Sequence, residues 1–193
     1  MTQPFSSGAL VHVPRLSRRQ FLRLGGLAVA TWLVPGRALA HRSGTVSEKA
    51  LALYNLHTGE RLRTVYWFKG NYLPEALQEI SYLLRDYRAE AVRPIDPELI
   101  DLLHALSVKL EARQPFHVIS GYRTPATNAM LRRYHGGVAK RSFHMYGKAV
   151  DFRLPGRSLA ALRRAAISLH RGGVGYYPRS GFIHVDTGPV RYW

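Results

Sequence analysis

The sequence predicts an α+β fold: one compact domain in which a small antiparallel sheet is flanked by helices. Two observations support this class. Segments with alternating apolar and polar residues occur near both ends of the domain, and segments with apolar residues at helical spacing precede and separate them. The residues from His41 to Trp193 suffice for one domain with a hydrophobic core, and no internal repeat divides them.

The first predicted elements are a β-hairpin and two helices. Residues 50–55 and 61–68 alternate around Thr58-Gly59-Glu60, a pattern typical of a hairpin. Pro74 begins a helical pattern that ends near Arg88. A second helix is expected from Asp96 through Leu110, because aspartate caps helix N-termini and proline suits the first turn. The apolar stripes of both helices indicate a core and imply no cofactor.

Shorter elements fill the second half of the chain. The predicted order is a buried strand at 116–119, a helix from about Pro125 to Tyr134, a flexible loop at Gly136-Gly137, a strand from Lys148 to Leu154, a helix from Leu159 to His170, and two final short strands. Along the chain, strands therefore precede and follow the helices.

Two segments rich in histidine and aspartate indicate a metal site. His144 and Asp151 lie in residues 142–151, and His184 and Asp186 follow in a short strand. Alternation turns Asp151 away from the core and puts His184 and Asp186 on one strand face. Two imidazoles and at least one carboxylate form a set of zinc ligands that leaves one position for water. A single histidine is more often a surface or core residue, so the hypothesis depends on the combination.

The same residues carry a family resemblance. The pattern S-x-H-x-x-G-x-A-x-D, from Ser142 to Asp151, resembles the zinc D,D-peptidases of the M15 group. With Ser120-Gly121-Tyr122-Arg123 and the ending from Gly173 to Trp193, the chain resembles the DUF882, YcbK-like branch of periplasmic murein peptidases from about Ser47 onward. The resemblance implies a hedgehog/D,D-peptidase-like fold and Zn²⁺ as cofactor. Its implied metal ligands are His144, Asp151 and His184.

The resemblance also implies the reaction. It indicates an endopeptidase or a D,D- or L,D-carboxypeptidase that hydrolyses peptide crosslinks or stems of peptidoglycan through a metal-activated water. Two alternatives remain open. One is a non-catalytic murein-binding module, and the other is a non-haem iron oxygenase, which also uses two histidines and a carboxylate but normally on an all-β barrel.

Arg123 and Ser142 are the candidate substrate-binding residues. Arg123 follows a predicted strand-to-helix junction, where α/β sheets tend to place ligand-binding groups, and a guanidinium is a bidentate donor for a carboxylate. The resemblance implies that it binds a substrate carboxylate or stabilises the oxyanion. The alternative is an arginine that ties down the turn. Ser142 either hydrogen-bonds the substrate or caps the loop before His144.

The general base departs from the better-known relatives. Many M15 enzymes carry an acidic residue three positions before the last histidine, and that position is Gly181 here. Asp186 is the nearest acid by sequence, and we predict it to be catalytic as this base. The alternative is that Asp186 orients a ligand imidazole.

Residues 1–40 have the features of an export signal. Residues 17–23 are similar to the twin-arginine consensus, an apolar stretch of eleven residues follows, and Ala38-Leu39-Ala40 has the pattern of a cleavage site. A spanning helix needs about 20 apolar residues. We therefore expect a cleaved twin-arginine signal at 1–40, a periplasmic catalytic domain at 41–193, and no transmembrane segment after cleavage. An uncleaved anchor is the alternative.

Composition agrees with an envelope location. The chain has no cysteine, which excludes a disulfide, a thiolate metal site and a cysteine nucleophile. Residues 1–40 contain five arginines and no acid, so their removal lowers the formal net charge from +16 to +11. A basic exported domain suits a polyanion such as murein or anionic lipid. With no recognisable nucleic-acid motif, we expect no nucleic-acid partner, and the sequence does not indicate an oligomeric state.

Overall fold

The structure is a computed structural model that describes residues 48–134 and 137–193. The predicted signal at 1–40 and Gly136 of the predicted loop lie outside these residues. The described residues belong to one compact unit. None of their helices is long and apolar enough to cross a membrane.

Within the described residues, eight strands form one sheet. They are β1 (Glu48–Asn55), β2 (Arg61–Phe68), β3 (Asn71–Tyr72), β4 (Phe116–Ser120), β5 (Ala149–Arg153), β6 (Gly173–Tyr177), β7 (Phe182–Asp186) and β8 (Arg191–Tyr192). Their order across the sheet is β3-β2-β1-β4-β5-β7-β6-β8. The β1/β4 and β6/β8 pairs are parallel and the other pairs are antiparallel. The sheet is therefore mixed, and it is open.

In the part of the chain that the structure describes, four α-helices accompany the sheet. They are α1 (Pro74–Leu83), α2 (Pro97–Lys109), α3 (Pro125–Tyr134) and α4 (Leu159–Ser168), and one 3-10 turn covers Phe143–Tyr146. Helices α1, α2 and α4 pack on the strands. Their apolar residues join those of the strands in a single core, represented by Leu53, Ile80, Leu103, Phe152 and Val185.

The predicted class is confirmed, and the sheet is larger than the small antiparallel one that the sequence predicts. The chain between β2 and β4 carries α1 and α2, and it returns β4 to the side of β1 in parallel. Strands β3 and β8 have two residues each, which is too short for a period of two to be recognised. The open sheet also differs from the barrel that an iron oxygenase normally uses.

The predicted hairpin and the second helix are confirmed. Strands β1 and β2 pair antiparallel around the turn at Thr58-Gly59-Glu60, and the Asp96 carboxylate accepts a hydrogen bond from the Glu98 N–H. Helix α1 instead ends at Leu83, short of the predicted Arg88. The Leu84 carbonyl accepts from the Tyr122 N–H at 2.7 Å, so a tertiary hydrogen bond replaces the helical one.

Candidate metal centre and cleft

Three side chains meet on the sheet face opposite helices α1, α2 and α4. Strands β5 and β7 are antiparallel neighbours, with Asp151 directly opposite His184. The 3-10 turn brings His144 against β5 from outside the sheet. All three residues are buried, and one ligand atom from each lies within 4.8 Å of the other two. We call His144, Asp151 and His184 the donor triangle.

Hydrogen bonds on the outer side of each ring orient the imidazoles. His144 Nδ1–H donates to the Gly121 carbonyl at 2.7 Å, and His184 Nε2–H donates to Asp186 Oδ2 at 2.9 Å. These partners leave a lone pair on His144 Nε2 and, when the His184 ring is neutral, on His184 Nδ1, and these two atoms lie 3.2 Å apart. The two nitrogens lie 3.2 and 2.8 Å from Asp151 Oδ1. Three lone-pair atoms therefore face one another.

This arrangement fits a zinc ion. Tetrahedral zinc with bonds of about 2.0–2.1 Å separates its ligand atoms by about 3.3 Å, close to the observed separations. Burial raises the pKa of Asp151, but its interactions with His144 and His184 outweigh burial and hold that pKa far below the ordinary range. The carboxylate is therefore ionised, as a metal ligand must be.

A proton and a metal ion compete for His184. Burial lowers the pKa of His184, but hydrogen bonds to Asp151 and Asp186 outweigh burial and raise it to about 9. Burial lowers the pKa of His144. Without a metal, a proton on His184 therefore stabilises the triangle, and a metal ion has to displace it.

Asp186 lies behind the His184 ring and outside the cleft. It is fully buried and accepts from His184, from the Gly173 and Gly188 N–H groups, and from the Arg191 guanidinium, whose Nη2 is 2.6 Å from Oδ2. Burial raises the pKa of Asp186, but these donors outweigh burial and hold it well below the ordinary range. With its oxygens occupied by donors, Asp186 suits the orienting role better than that of a base.

Arg123 lies where the sequence places it, beside the donor triangle. The backbone N–H of Arg123 donates to the His144 carbonyl at 3.1 Å. Its side-chain Nη2 is 3.8 Å from Asp151 Oδ2. Its buried Nε has no hydrogen-bond partner among the described residues. Burial lowers the pKa of Arg123, although a guanidinium stays charged near neutral pH. The Arg123 side chain therefore retains donor capacity within the cleft.

Close backbone contacts hold Arg123 in this position. A side chain at Gly121 would collide with the Leu84 carbonyl, so only glycine fits there. The Asp86 carboxylate accepts from both the N–H and the hydroxyl of Thr124, at 2.9 Å each. The segment after α1 thus fixes the junction between β4 and α3.

Ser142 both lines the cleft and caps the 3-10 turn. The His144 N–H donates to Ser142 Oγ at 3.4 Å, which is a long hydrogen bond.

Gly181 lies in the turn between β6 and β7 with a φ of +74°. Among the described residues that line the cleft, Asp151 is the only acid.

The cleft has a volume of about 710 Å³. Sequence reasoning did not identify Trp193 as part of it. The Trp193 and His184 ring centroids are 5.4 Å apart, and Trp193 Nε1 donates to the Tyr177 hydroxyl at 2.8 Å. A Cβ at Gly175 would lie 2.8 Å from the indole, so this glycine makes room for it. The pairing of β8 with β6 creates this wall, and no sequence pattern indicates that pairing.

Comparisons with known proteins place the chain in a family. A family model described as peptidoglycan L,D-endopeptidase MepK (Peptidase_M15_2) matches residues 43–193. The peptidoglycan L,D-endopeptidase MepK of Escherichia coli K12 is 45% identical over 177 residues, which cover 92% of this chain and 97% of that protein. The protein of the same name from Shigella flexneri has the same identity and coverage. The probable peptidoglycan L,D-endopeptidase MepK of Haemophilus influenzae is 44% identical over 178 residues, covering 92% of this chain and 95% of that protein.

Proposed function

Because this chain belongs to the Peptidase_M15_2 family of murein peptidases, we propose that it is a zinc-dependent L,D-endopeptidase that cleaves peptide crosslinks of peptidoglycan. The observation that carries the proposal is the donor triangle, in which three lone-pair atoms converge beside a cleft. The names of the relatives supply the substrate and the L,D bond.

The donor triangle would hold the zinc ion. Zinc held there would supply a water molecule of lowered pKa and a Lewis acid for the peptide carbonyl. Arg123 binds a carboxylate of the peptide or the oxyanion, since its guanidinium is close to Asp151 and keeps an unpartnered Nε. Asp186 and Arg191 hold the His184 ring in its orientation and act as positioning residues.

With Asp186 assigned to orient the His184 ring, we assign the proton acceptor to another residue. Among the described residues that line the cleft, His57 is the imidazole outside the donor triangle. Burial and the charge of Arg88 lower its pKa, so His57 is neutral near pH 7 and able to accept a proton. Because His57 lines the cleft and is neutral near pH 7, it is the base that we propose to test first.

The compartment is part of the proposal. The twin-arginine pattern at 1–40 directs export, and residues 41–193 act in the periplasm on peptidoglycan. A basic domain is attracted to that polymer, which carries free carboxylates.

Digestion of defined muropeptides tests the reaction. Purified 41–193 protein is incubated with crosslinked dimers that contain either an L,D or a D,D bond, and the products are identified by mass spectrometry. We expect zinc-dependent cleavage of the L,D dimer. Cleavage of the D,D dimer alone would refute the bond assignment, and tight binding without cleavage would favour the murein-binding module.

Alanine variants of the donor triangle test the metal site. His144→Ala, Asp151→Ala and His184→Ala should each lose bound zinc and activity while keeping the fold, as measured by elemental analysis and circular dichroism. His170→Asn is the matched control, because His170 is exposed and has a φ of +50° that asparagine tolerates. A fully active His184→Ala protein would refute the assignment of the donor triangle as the metal site.

A further inference from the structure

The sheet face that carries the donor triangle continues into a row of cationic and aromatic side chains. The Arg61 guanidinium lies over the Tyr54 ring, 4.0 Å from its centroid, and the Tyr54 and His117 rings meet edge to face at 5.1 Å. His117 is directly opposite Arg153 in the β4/β5 register. We call Arg61, Tyr54, His117 and Arg153 the basic row. It crosses four adjacent strands, β2, β1, β4 and β5.

The basic row lies on the same sheet face as the donor triangle. Arg153 lies two residues after Asp151 on β5, so both side chains leave the sheet on the same side. Helices α1, α2 and α4 pack against the core side, where Leu53 and Phe152 are buried. A ligand that extends from the cleft along β5 therefore reaches the basic row.

The charge of the basic row is not neutralised within the described part of the chain. Arg61 and Arg153 are exposed, and neither forms a salt bridge with a described residue. Arg63 lies opposite Ala52 and adds a third exposed guanidinium to the face. The residues that share this face within 50–54, 61–65 and 116–120 include no acid. Burial, and then the charges of Arg153 and Arg61, lower the pKa of His117, which agrees with a positive potential there.

We propose that the basic row is an exosite that binds free carboxylates on the peptide stems of polymeric peptidoglycan, beside the crosslink held in the cleft. This inference rests on the proposed function. Guanidinium groups bind carboxylates through paired hydrogen bonds, and the rings between them offer apolar surface to a peptide chain. A polymer presents many stems, so a second contact raises its effective concentration at the cleft.

A double charge reversal tests the exosite. Arg61→Glu/Arg153→Glu is compared with Lys109→Glu/Arg164→Glu, which changes the same number of charges at exposed positions on α2 and α4. Binding to purified insoluble peptidoglycan is measured by co-sedimentation with a chelator present, so that cleavage does not interfere. We expect the basic-row variant to bind about 10-fold or more weakly at low salt, and the helix variant to bind like the wild type. The difference should shrink as salt screens the charges.

Three further readouts decide the outcome. Unfolding temperatures and hydrolysis of a soluble L,D dimer should be close to wild type for both variants, which shows that the cleft is intact. Equal loss of polymer binding in both variants, or none in the basic-row variant, overturns the exosite. Loss of binding to anionic lipid vesicles with polymer binding retained also overturns it and assigns the face to a membrane surface. If the wild type cleaves no dimer but the selective loss of polymer binding persists, the proposed peptidase function fails while the exosite stands.

Discussion

His184 connects the donor triangle to the rest of the domain through its two ring nitrogens. Nδ1 faces Asp151 at 2.8 Å, and Nε2 faces Asp186 at 2.9 Å. The two carboxylates differ in position, because Asp151 lines the cleft and Asp186 is buried behind the ring. The alternation of β7 predicts that His184 and Asp186 share a face. It does not reveal that Arg191 and two backbone N–H groups donate hydrogen bonds to the Asp186 carboxylate.

An Asp186→Asn variant separates orientation from base catalysis. An orienting role predicts that zinc affinity falls by about 10- to 100-fold and that activity recovers at high zinc. A base role predicts a loss of about 10² to 10⁴ in turnover with zinc retained. Zinc titration followed by turnover at saturating zinc measures both quantities. Because Asp186 accepts hydrogen bonds from His184 and Arg191, we expect zinc affinity to fall and activity to recover at high zinc.

At the scale of the elements, the residues just before β6 and β7 show why glycine is required in one turn and only preferred in another. Gly172 and Gly181 have φ angles of +70° and +74°. A Cβ at Gly172 would collide with the Asp186 carbonyl, whereas a Cβ at Gly181 meets no atom within 4 Å. The sequence shows both glycines and does not distinguish these two situations.

Alanine substitutions at these two glycines form a matched pair. Both variants bear the conformational cost of the left-handed region, about 1–2 kcal/mol. Gly172→Ala bears a further steric cost of about 1–3 kcal/mol and displaces the strand end that holds Asp186. Urea unfolding should therefore show a larger loss of stability for Gly172→Ala, together with weaker zinc binding. Equal losses in the two variants would contradict the steric explanation.

Asp101 joins helix α2 to the N-terminal strands. Its carboxylate accepts from Lys49 Nζ at 2.9 Å and from the Tyr66 and Tyr72 hydroxyls at 2.8 Å each. Burial raises the pKa of Asp101, but these donors outweigh burial and lower it. A lowered pKa in the folded state means that the ionised carboxylate stabilises the fold above the unfolded-state pKa of about 3.9. That stabilisation is lost as the pH falls through the folded-state pKa.

The pH dependence of unfolding tests this contribution. Asp101→Asn should unfold at lower urea than the wild type at pH 7, and the difference should shrink as the pH falls below about 4. Glu79→Gln, which removes an exposed acid from α1, serves as the control and should change stability little at either pH. A difference between Asp101→Asn and the wild type that stays constant with pH would show that the charge of Asp101 is not what stabilises the contact.

At the scale of the whole molecule, we predict that the twin-arginine pattern in residues 1–40 determines the location of the protein. Replacing Arg18 and Arg19 with lysine keeps the charge but removes the twin-arginine pattern. We expect the precursor to remain in the cytoplasm, as measured by fractionation and immunoblotting. Normal amounts of the mature form in the envelope would show that another export route is used. The control replaces Arg15 and Arg37, which lie outside the pattern, with lysine. This control should leave export unchanged.

The sequence by itself determines the α+β class, the hairpin, helix α2 and the residues of the donor triangle. These features depend on local periodicity, on capping residues and on a compact motif from Ser142 to Asp151, all of which a linear chain displays. Local order also predicts that Asp151 and His184 leave their strands on the faces that the structure shows, because side-chain alternation within a strand needs no tertiary information.

Only the tertiary structure decides which partners these residues meet. The place of β5 beside β7, the end of α1 at Leu83, the wall made by Trp193 and the crowding around Asp186 depend on contacts between distant segments. The basic row is another example, because its four residues come from four strands and join only when those strands pair in register. Long-range pairing is set by packing of the whole core, and packing leaves no periodic signature in any one segment.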